Sequence, residues 1–382
     1  MAIIDPSARR LTKAFINLDH LTHNYRLLQR QVGRSQVWPV LKANGYGHDA
    51  ALVATHLLHC GCHTLCVADV EEAVALTEND VRATFVILSA ALPEHSEALV
   101  AYDCQPVVCT VEMVDALAAA ASKAGKRVAI HVKVDTGMGR LGIRPEEVTA
   151  FLERCGKFPA LEVRGLMSHF PRADEADKSY SIAQLDRFRE VVEMTKSCGI
   201  KSYHMANSAA IFALPEAHFD AVRPGIALYG LQPAAIPAHP TAGELKPVLE
   251  LKTQIIFLKE VAPGVGLSYG HAFHTQRPSL IATLPIGYGD GLSRNLSGRI
   301  NILIRGVRCP QVGRITMDMS LVDISALRGQ VELGDEAVII GRQGSDEISA
   351  DELAAKLGTI NYEIVTAISH RVPRVAVVNG SE

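Results

Sequence analysis

No apolar run in this chain approaches the ~18 residues that would suggest a membrane span. No Lys/Arg run is interleaved with aromatics, and the formal charge is only −3, so neither nucleic acid nor an anionic membrane is an expected partner. Internal repeats of fixed period and low-complexity tracts are also missing. The opening residues, MAIIDPSARRLTKAF, carry charges and a proline where a signal peptide needs an apolar core, and a cytoplasmic location is the expectation. Cysteines number eight, and Cys60, Cys62 and Cys66 have no second cluster to complete a zinc site. Reduced, mostly buried thiols and no metal are expected.

What remains is a globular composition, 48% apolar, on a chain of 382 residues, too long for one small core. Short apolar runs recur over the first part: Val37–Lys42, His63–Ala68, Thr84–Leu88, Gln105–Cys109, Arg127–Asp135, Leu161–His169, Lys201–Ala206 and Phe219–Arg223. Each is too short for an ordinary helix, and several are rich in valine or isoleucine. Amphipathic stretches lie between them. Asp69 is placed to cap a helix with Val70, Ala73, Val74 and Thr77 on one face. A second helix is expected over Val111–Gly125, and a third carries Ile182, Leu185, Phe188, Val191 and Val192; both stop at glycine.

Eight strands, each followed by a helix or connection, predict a parallel sheet, and eight closes a TIM-like (β/α)8 barrel. An open doubly wound sheet is the competing arrangement. After Leu231–Pro247, which reads as a linker, glycine-rich strand-like pieces follow with few helical patterns. The expected division is an α/β barrel over 1–240 and a mainly β domain over 241–382.

In a barrel, the carboxyl ends of the strands share one face, and that face carries the chemistry. Lys42 ends the first predicted strand, Lys133 and Asp135 the fifth, and His169 the sixth. Asn207 and Ser208 follow the seventh, and Arg223 ends the eighth. Ser208 opens a predicted helix and Gly225 allows close backbone approach, a combination suited to phosphate. A phosphate beside a strand-end lysine suggests pyridoxal phosphate, whose aldehyde forms a Schiff base with an amine. A lysine-dependent sugar-phosphate aldolase would satisfy the same spacing.

The segments VLKANGYGH, HVKVDTGMGRLGI, MSHF, ANSAA, RPGIALYG, SYGHAF, PIGYGDG, VGRITMDM and TINYE follow in that order. Together they resemble the signature segments of alanine racemase, over a span from Phe15 to Arg374. The resemblance implies a pyridoxal-phosphate-dependent homodimer with shared active sites. It implies a barrel followed by a β domain, with the first ~12 residues pairing with the latter. The implied activity is the interconversion of L- and D-alanine, supplying D-alanine for peptidoglycan. Lys42 would carry the cofactor and act as one base, with Tyr269 of the partner subunit as the other. His169 and Arg223 would link that tyrosine to the cofactor, with Arg223 facing the pyridine nitrogen. Tyr46, Ser208, Gly225, Ile226 and Tyr362 would hold the phosphate, with Asn207 beside them and His204 against the ring. Arg140 and the backbone N–H of Met317 would bind the substrate carboxylate. Lys133 matches a lysine often carbamylated in the family, a bound anion being the other way to relieve its charge beside Arg140. Asp174, Tyr288, Arg294 and Arg314 would form the substrate entrance. Many members read Cys-Met-Asp where this chain has Thr316, Met317 and Asp318; the backbone contact survives that exchange. Tyr362 at the pocket floor favours alanine over the alternative of a serine-directed or broader racemase on the same scaffold. A pyridoxal phosphate carrier without turnover would lack the second domain that supplies Tyr269 and Met317, and a lysine-dependent aldolase would need neither residue.

Overall fold

The computed structural model describes residues 10–233 and 240–378. The chain forms two compact units: His20–Lys246, and the stretch up to Asp19 together with the chain from Pro247 onward. The cut falls inside the Leu231–Pro247 segment, of which 234–239 lie outside the described residues.

Eight parallel strands make the sheet of the first unit. Side by side they run Gln36–Val37, Ala221–Val222, Ser202–His204, Leu161–Met167, Val128–Lys133, Gln105–Val108, Thr84–Ile87 and Thr64–Val67. A parallel bridge between Val40 and Cys66 joins the two ends of this order. There the Leu41 N–H donates to the Cys66 carbonyl and the Cys66 N–H to the Pro39 carbonyl, both at 2.8 Å. Closure excludes the open doubly wound sheet and leaves a TIM-like barrel with no free edge. The strands are shorter than the apolar runs that announce them. Beyond their last paired residues the backbone leaves the ladder, and Lys42, Asp135, His169, Asn207 and Arg223 stand there, whereas Lys133 still pairs with Met167.

Helices cover the outside. Asp69 caps Val70–Glu78 by accepting from the Glu72 N–H at 3.0 Å. Its buried face is Val70, Ala73 and Leu76, in place of the expected Val74 and Thr77. The helix Val111–Ala124 ends at Gly125 in a left-handed cap. Ser179–Thr195 buries Leu185, Phe188 and Val191, whereas Ile182 is exposed. A periodic stripe wider than the contact accounts for both differences, since only its centre meets the barrel.

The second unit is mainly β. Its ten-stranded sheet includes Lys13–Asn17, antiparallel to Leu249–Gln254 and parallel to Arg374–Val377. Of the first ~12 residues expected to pair in this unit, 1–9 lie outside the described residues. Two helices, Ala350–Leu357 and Asn361–Thr366, precede the final strand. All eight cysteines are free thiols, and no cluster among the described residues could hold a metal ion. No helix among them is long and apolar enough to cross a membrane.

The barrel interior is not purely apolar. His131 and His204 are completely buried, and the register shifts between Ile130 and His131 so that His131 lies opposite Gly165. A Cβ on Gly165 would sit 2.3 Å from His131 Nδ1 and 2.8 Å from Ser202 Oγ. Glycine there is therefore a space requirement. Gly165→Ala is expected to destabilise the barrel by about 1–3 kcal/mol through overpacking. A lower urea midpoint at unchanged slope is the measurement that checks it, and an unchanged midpoint contradicts it.

Candidate active site

The carboxyl end of the first strand does something rare. Beyond Leu41 the chain turns through Ala43 (φ 53°, ψ 52°), Asn44 (52°, 50°) and Gly45 (62°, 42°), with Tyr46 also at φ 53°. This is one turn of left-handed helix, costly for residues with a Cβ. Lys42 stands at its start. The turn is held by named contacts: the Gly45 N–H donates to the Leu41 carbonyl at 2.7 Å and the Gly47 N–H to the Ala43 carbonyl at 2.9 Å. Asn44 Oδ1 accepts from the Ala50 N–H at 2.9 Å.

Glu72 completes the clamp. Its two carboxylate oxygens accept from the Ala43 N–H and the Ala68 N–H, each at 2.7 Å. Sequence reasoning missed this residue, because Glu72 stands three places after the N-cap Asp69, where a capping-box acid belongs. Its side chain instead reaches across to the neighbouring strand end. Burial raises the Glu72 pKa, opposed by these two backbone bonds.

Lys42 remains open to solvent on one side, yet the atoms packed around its base and the charge of Arg140 lower its pKa. Lys133 is buried, and burial first, then Arg223 and Arg140, push its pKa well below the ordinary lysine value. His169 is held far below the usual imidazole range by burial and by Lys133, Arg223, Arg140 and Lys42. Five of the predicted residues are thus close enough to feel one another's charge.

Arg223 lies at the centre, 3% exposed. Burial lowers its pKa to about 10, short of what would neutralise it at pH 7. Its Nη1 donates to His204 Nδ1 at 2.6 Å, and Nη2 to the carbonyls of Ser168 (2.8 Å) and Met205 (3.2 Å) and to His169 Nδ1 (3.4 Å). Among the described residues it forms no ion pair with a carboxylate. His204, expected only to pack against a ring, also binds Arg223 and His131.

Asn207, Ser208, Gly225, Ile226 and Tyr46, all expected around a phosphate, come together at the next strand ends. Asn207 caps the short helix Ser208–Ala213 by accepting from the Ala210 N–H at 3.1 Å. Ser208 Oγ accepts from the N–H groups of Gly225 (2.9 Å) and Ala227 (3.3 Å), which leaves its own proton to donate. Ile226 opens the turn Ile226–Tyr229 and is fully buried. A Cβ on Gly225 would lie 2.3 Å from the Tyr46 hydroxyl, so glycine is what brings that hydroxyl to the cradle. A hydroxyl pair, a glycine edge and a nearby buried cation fit an anionic cofactor with a basic ring nitrogen. Asp135 positions the approach to Arg140 by accepting from the N–H groups of Gly137, Met138 and Gly139. Asp174 sits half-buried in the loop after Phe170.

The remaining predicted residues belong to the second unit. Tyr269 is 71% exposed on a turn where Ser268 Oγ donates to the Arg314 carbonyl at 2.7 Å. Tyr288 and Met317 are joined by backbone bonds: the Tyr288 N–H donates to the Thr316 carbonyl and the Gly289 N–H to the Met317 carbonyl, both at 2.9 Å. Thr316 Oγ1 bonds the backbone of Met319 and so stabilises its own turn. Arg294 is exposed at the start of the turn Arg294–Leu296, and Tyr362 lies half-buried in the helix Asn361–Thr366.

Comparison with known proteins gives one family over nearly the whole chain. The family model of the alanine racemase N-terminal domain matches residues 16–233, and that of the C-terminal domain matches residues 248–376. An alanine racemase of Desulfovibrio desulfuricans is 42% identical over 367 residues, 95% of this chain and 97% of its own length. One from Clostridium novyi is 40% identical over 370 residues, covering 96% and 95%. Among solved structures, the Bacillus anthracis alanine racemase with bound L-Ala-P superposes with a TM-score of 0.89 at 36% identity, covering 97% of this chain and 96% of that one. The Clostridium difficile 630 enzyme gives 0.91 at 34%, with the same coverages. The chain belongs to the alanine racemase family.

Proposed function

We propose that this chain interconverts L- and D-alanine, using pyridoxal phosphate, and supplies D-alanine for peptidoglycan. The observation that carries the reading is Lys42, displayed on a strained turn with a lowered pKa, beside the buried cation Arg223 and the Ser208–Gly225 cradle. The relatives described above are alanine racemases, which favours alanine over a serine-directed enzyme.

Lys42 Nζ would hold the cofactor, with its phosphate taken by Ser208, Gly225, Ile226, Tyr46, Asn207 and Tyr362. His204 would meet the ring and Arg223 its nitrogen. When bound, pyridoxal phosphate withdraws electrons from the substrate Cα and acidifies its proton. Arg223 keeps its own proton at neutral pH and so donates to an acceptor nitrogen without surrendering charge to it. Lys42 Nζ then works on one face of Cα. A lowered pKa brings its free-base form closer to neutral pH, as a general base needs.

The opposite face requires a second acid–base group, and Tyr269 Oη is the candidate. Its 71% exposure, with Met317 at 50%, fits side chains made to meet a second molecule. In this reading two chains form a homodimer by a two-fold axis, and each supplies Tyr269 and the Met317 N–H to the other's site. Arg140 and that N–H would hold the alanine carboxylate. Tyr288, Arg294, Arg314 and Asp174 would line the entrance. Lys133 is buried beside two arginines, and its neutral amine, favoured by its lowered pKa, is the form that attacks carbon dioxide, forming the N–C bond and releasing a proton. A carbamate there would replace a cation by an anion able to orient Arg140.

Incubation with L-alanine and pyridoxal phosphate in D2O is expected to give D-alanine with deuterium at Cα, and neither signal in Lys42→Ala. Deuterium exchange without inversion would contradict the two-face arrangement. For the shared site, mixing inactive Lys42→Ala and Tyr269→Ala proteins should restore activity through hybrid dimers; no recovery after verified subunit exchange would sink it. Glu72→Ala removes the acceptor for two backbone donors at the Lys42 turn. A stability loss of about 1–3 kcal/mol is expected, with a smaller one in Glu72→Gln, which keeps one acceptor. Urea unfolding of both variants reads this, and equal losses would contradict the clamp.

A further inference from the structure

A line of polar groups crosses the barrel interior from one end to the other, and the reaction described above uses only its last members. It starts at Gln105, the first residue of the strand Gln105–Val108 and therefore on the amino-terminal rim. Gln105 Oε1 lies 3.1 Å from His131 Nε2, and His131 Nδ1 lies 3.0 Å from His204 Nε2. His204 Nδ1 receives Arg223 Nη1 at 2.6 Å. The line ends at the carboxyl-terminal mouth, where Arg223 meets His169.

Donor–acceptor logic gives this line one direction. A guanidinium has N–H donors and no acceptor, so His204 Nδ1 must accept. Its proton is then on Nε2 and is donated to His131 Nδ1. His131 in turn carries its proton on Nε2 and donates it to the Gln105 amide oxygen. Every nitrogen is satisfied in this order. Protonating either imidazole, or reversing either tautomer, sets two N–H groups face to face in a buried site. Surrounding groups do not disturb it. Trp38 packs edge-on against both imidazoles, at 5.9 and 4.9 Å, while its own N–H is given to Gln36. Arg164, the other cation near His131, is paired with Glu162 at 3.2 Å. Burial holds His131 at a pKa of about 3 and His204 well below its ordinary value, so both are neutral across the working range.

We propose that Gln105 is a positioning residue, fixing through His131 and His204 the tautomer that receives Arg223 and hence the orientation of its guanidinium. Gln105 touches neither cofactor nor substrate in this account. Its amide oxygen is the terminal acceptor without which the His131 Nε2–H is left unsatisfied. Without that acceptor the order that Arg223 requires leaves a buried N–H unpaired, so its cost rises toward that of the reversed order and the two imidazoles no longer hold a single tautomer. The part of the proposal that concerns turnover rests on the racemase reading of Arg223; the tautomer pattern does not.

The test uses the holoenzyme labelled with 15N-histidine, read by long-range 1H–15N spectra, together with steady-state kinetics. Both buried imidazoles are expected to be neutral with the proton on Nε2. In Gln105→Leu that pattern should be lost, with kcat down about tenfold and KM changed much less, as for a misplaced group not in contact with substrate. Gln105→Glu keeps an acceptor oxygen at the same reach and should retain the Nε2–H pattern and kcat to within about threefold. A proton on Nδ1 of either wild-type imidazole, or an imidazolium, overturns the proposal. So does a Leu variant with wild-type tautomers and turnover, or a folded Glu variant that loses both. If Gln105→Leu does not fold, the wild-type spectrum and the Glu variant still decide. A protein with the expected tautomers and no racemase activity would refute the functional reading and leave the relay standing.

Discussion

A guanidinium sealed in the barrel with no carboxylate beside it constrains everything around it. Removing such a charge from water is expensive, and the cost is tolerated only where several acceptors converge. For Arg223 those acceptors are two carbonyls and two imidazoles, contributed by the ends of neighbouring strands. The imidazoles must offer lone pairs, so they must be neutral; they must be neutral, so they are buried. His204 is backed in turn by His131, for which Gly165 leaves room by lacking a Cβ. The residual positive potential then acts on its surroundings. His169 and Lys133 are both driven toward their neutral forms, first by burial and then by neighbouring cations. Burial and a cluster of like charges thus act together on the groups at the barrel mouth.

The architecture was readable in the sequence because strand and helix periods differ and because closure needs eight strands. All eight runs appear in the barrel, though shorter. The chemical residues at their ends were readable for a related reason: polar groups that terminate apolar runs are conspicuous. Lys42, Lys133, His169 and Arg223 stand out in this way. Residues that act inside the barrel do not. His131 sits within RVAIHVKVD and looks like a strand histidine, while Gln105 begins an apolar run and looks like its solvent end. Glu72 is disguised by position, since a capping acid and a strand-end clamp have the same spacing from Asp69. Three-dimensional proximity of Ala43, Ala68 and Glu72 depends on adjacent strands meeting at the closure, which no local pattern encodes.

The two units divide the work along the same line. The first carries Ser208 with Gly225, the buried cation Arg223, and Lys42, each tied to backbone groups at or near strand ends. Tyr269 and Met317 project from turns of the second and are largely exposed. Their turns are nonetheless ordered, through Ser268 to the Arg314 carbonyl and Thr316 to Met319. An exposed side chain on an ordered turn differs physically from disorder, because the backbone entropy is already lost and only rotamer freedom remains to be lost when it is covered. That is the property a residue needs if it is to complete a site on another molecule. The Thr316 hydroxyl fits the same picture, since it serves the turn and leaves the Met317 N–H unaltered.

The turn after Lys42 shows why a strained conformation persists here. Ala43, Asn44 and Tyr46 are non-glycine residues at positive φ, and left-handed helix costs each about 1–2 kcal/mol, roughly 3–6 in all. Five hydrogen bonds close the turn: Gly45 to Leu41, Gly47 to Ala43, His48 to Gly45, Ala50 to Asn44 and Ala43 to Glu72. At about 0.5–1.5 kcal/mol net each, they offset that cost without exceeding it by much. The left-handed turn begins directly after Lys42 and, four residues on, brings the Tyr46 hydroxyl against Gly225. The strain persists because these bonds, with the space that Gly225 leaves for the Tyr46 hydroxyl, hold the segment at both ends.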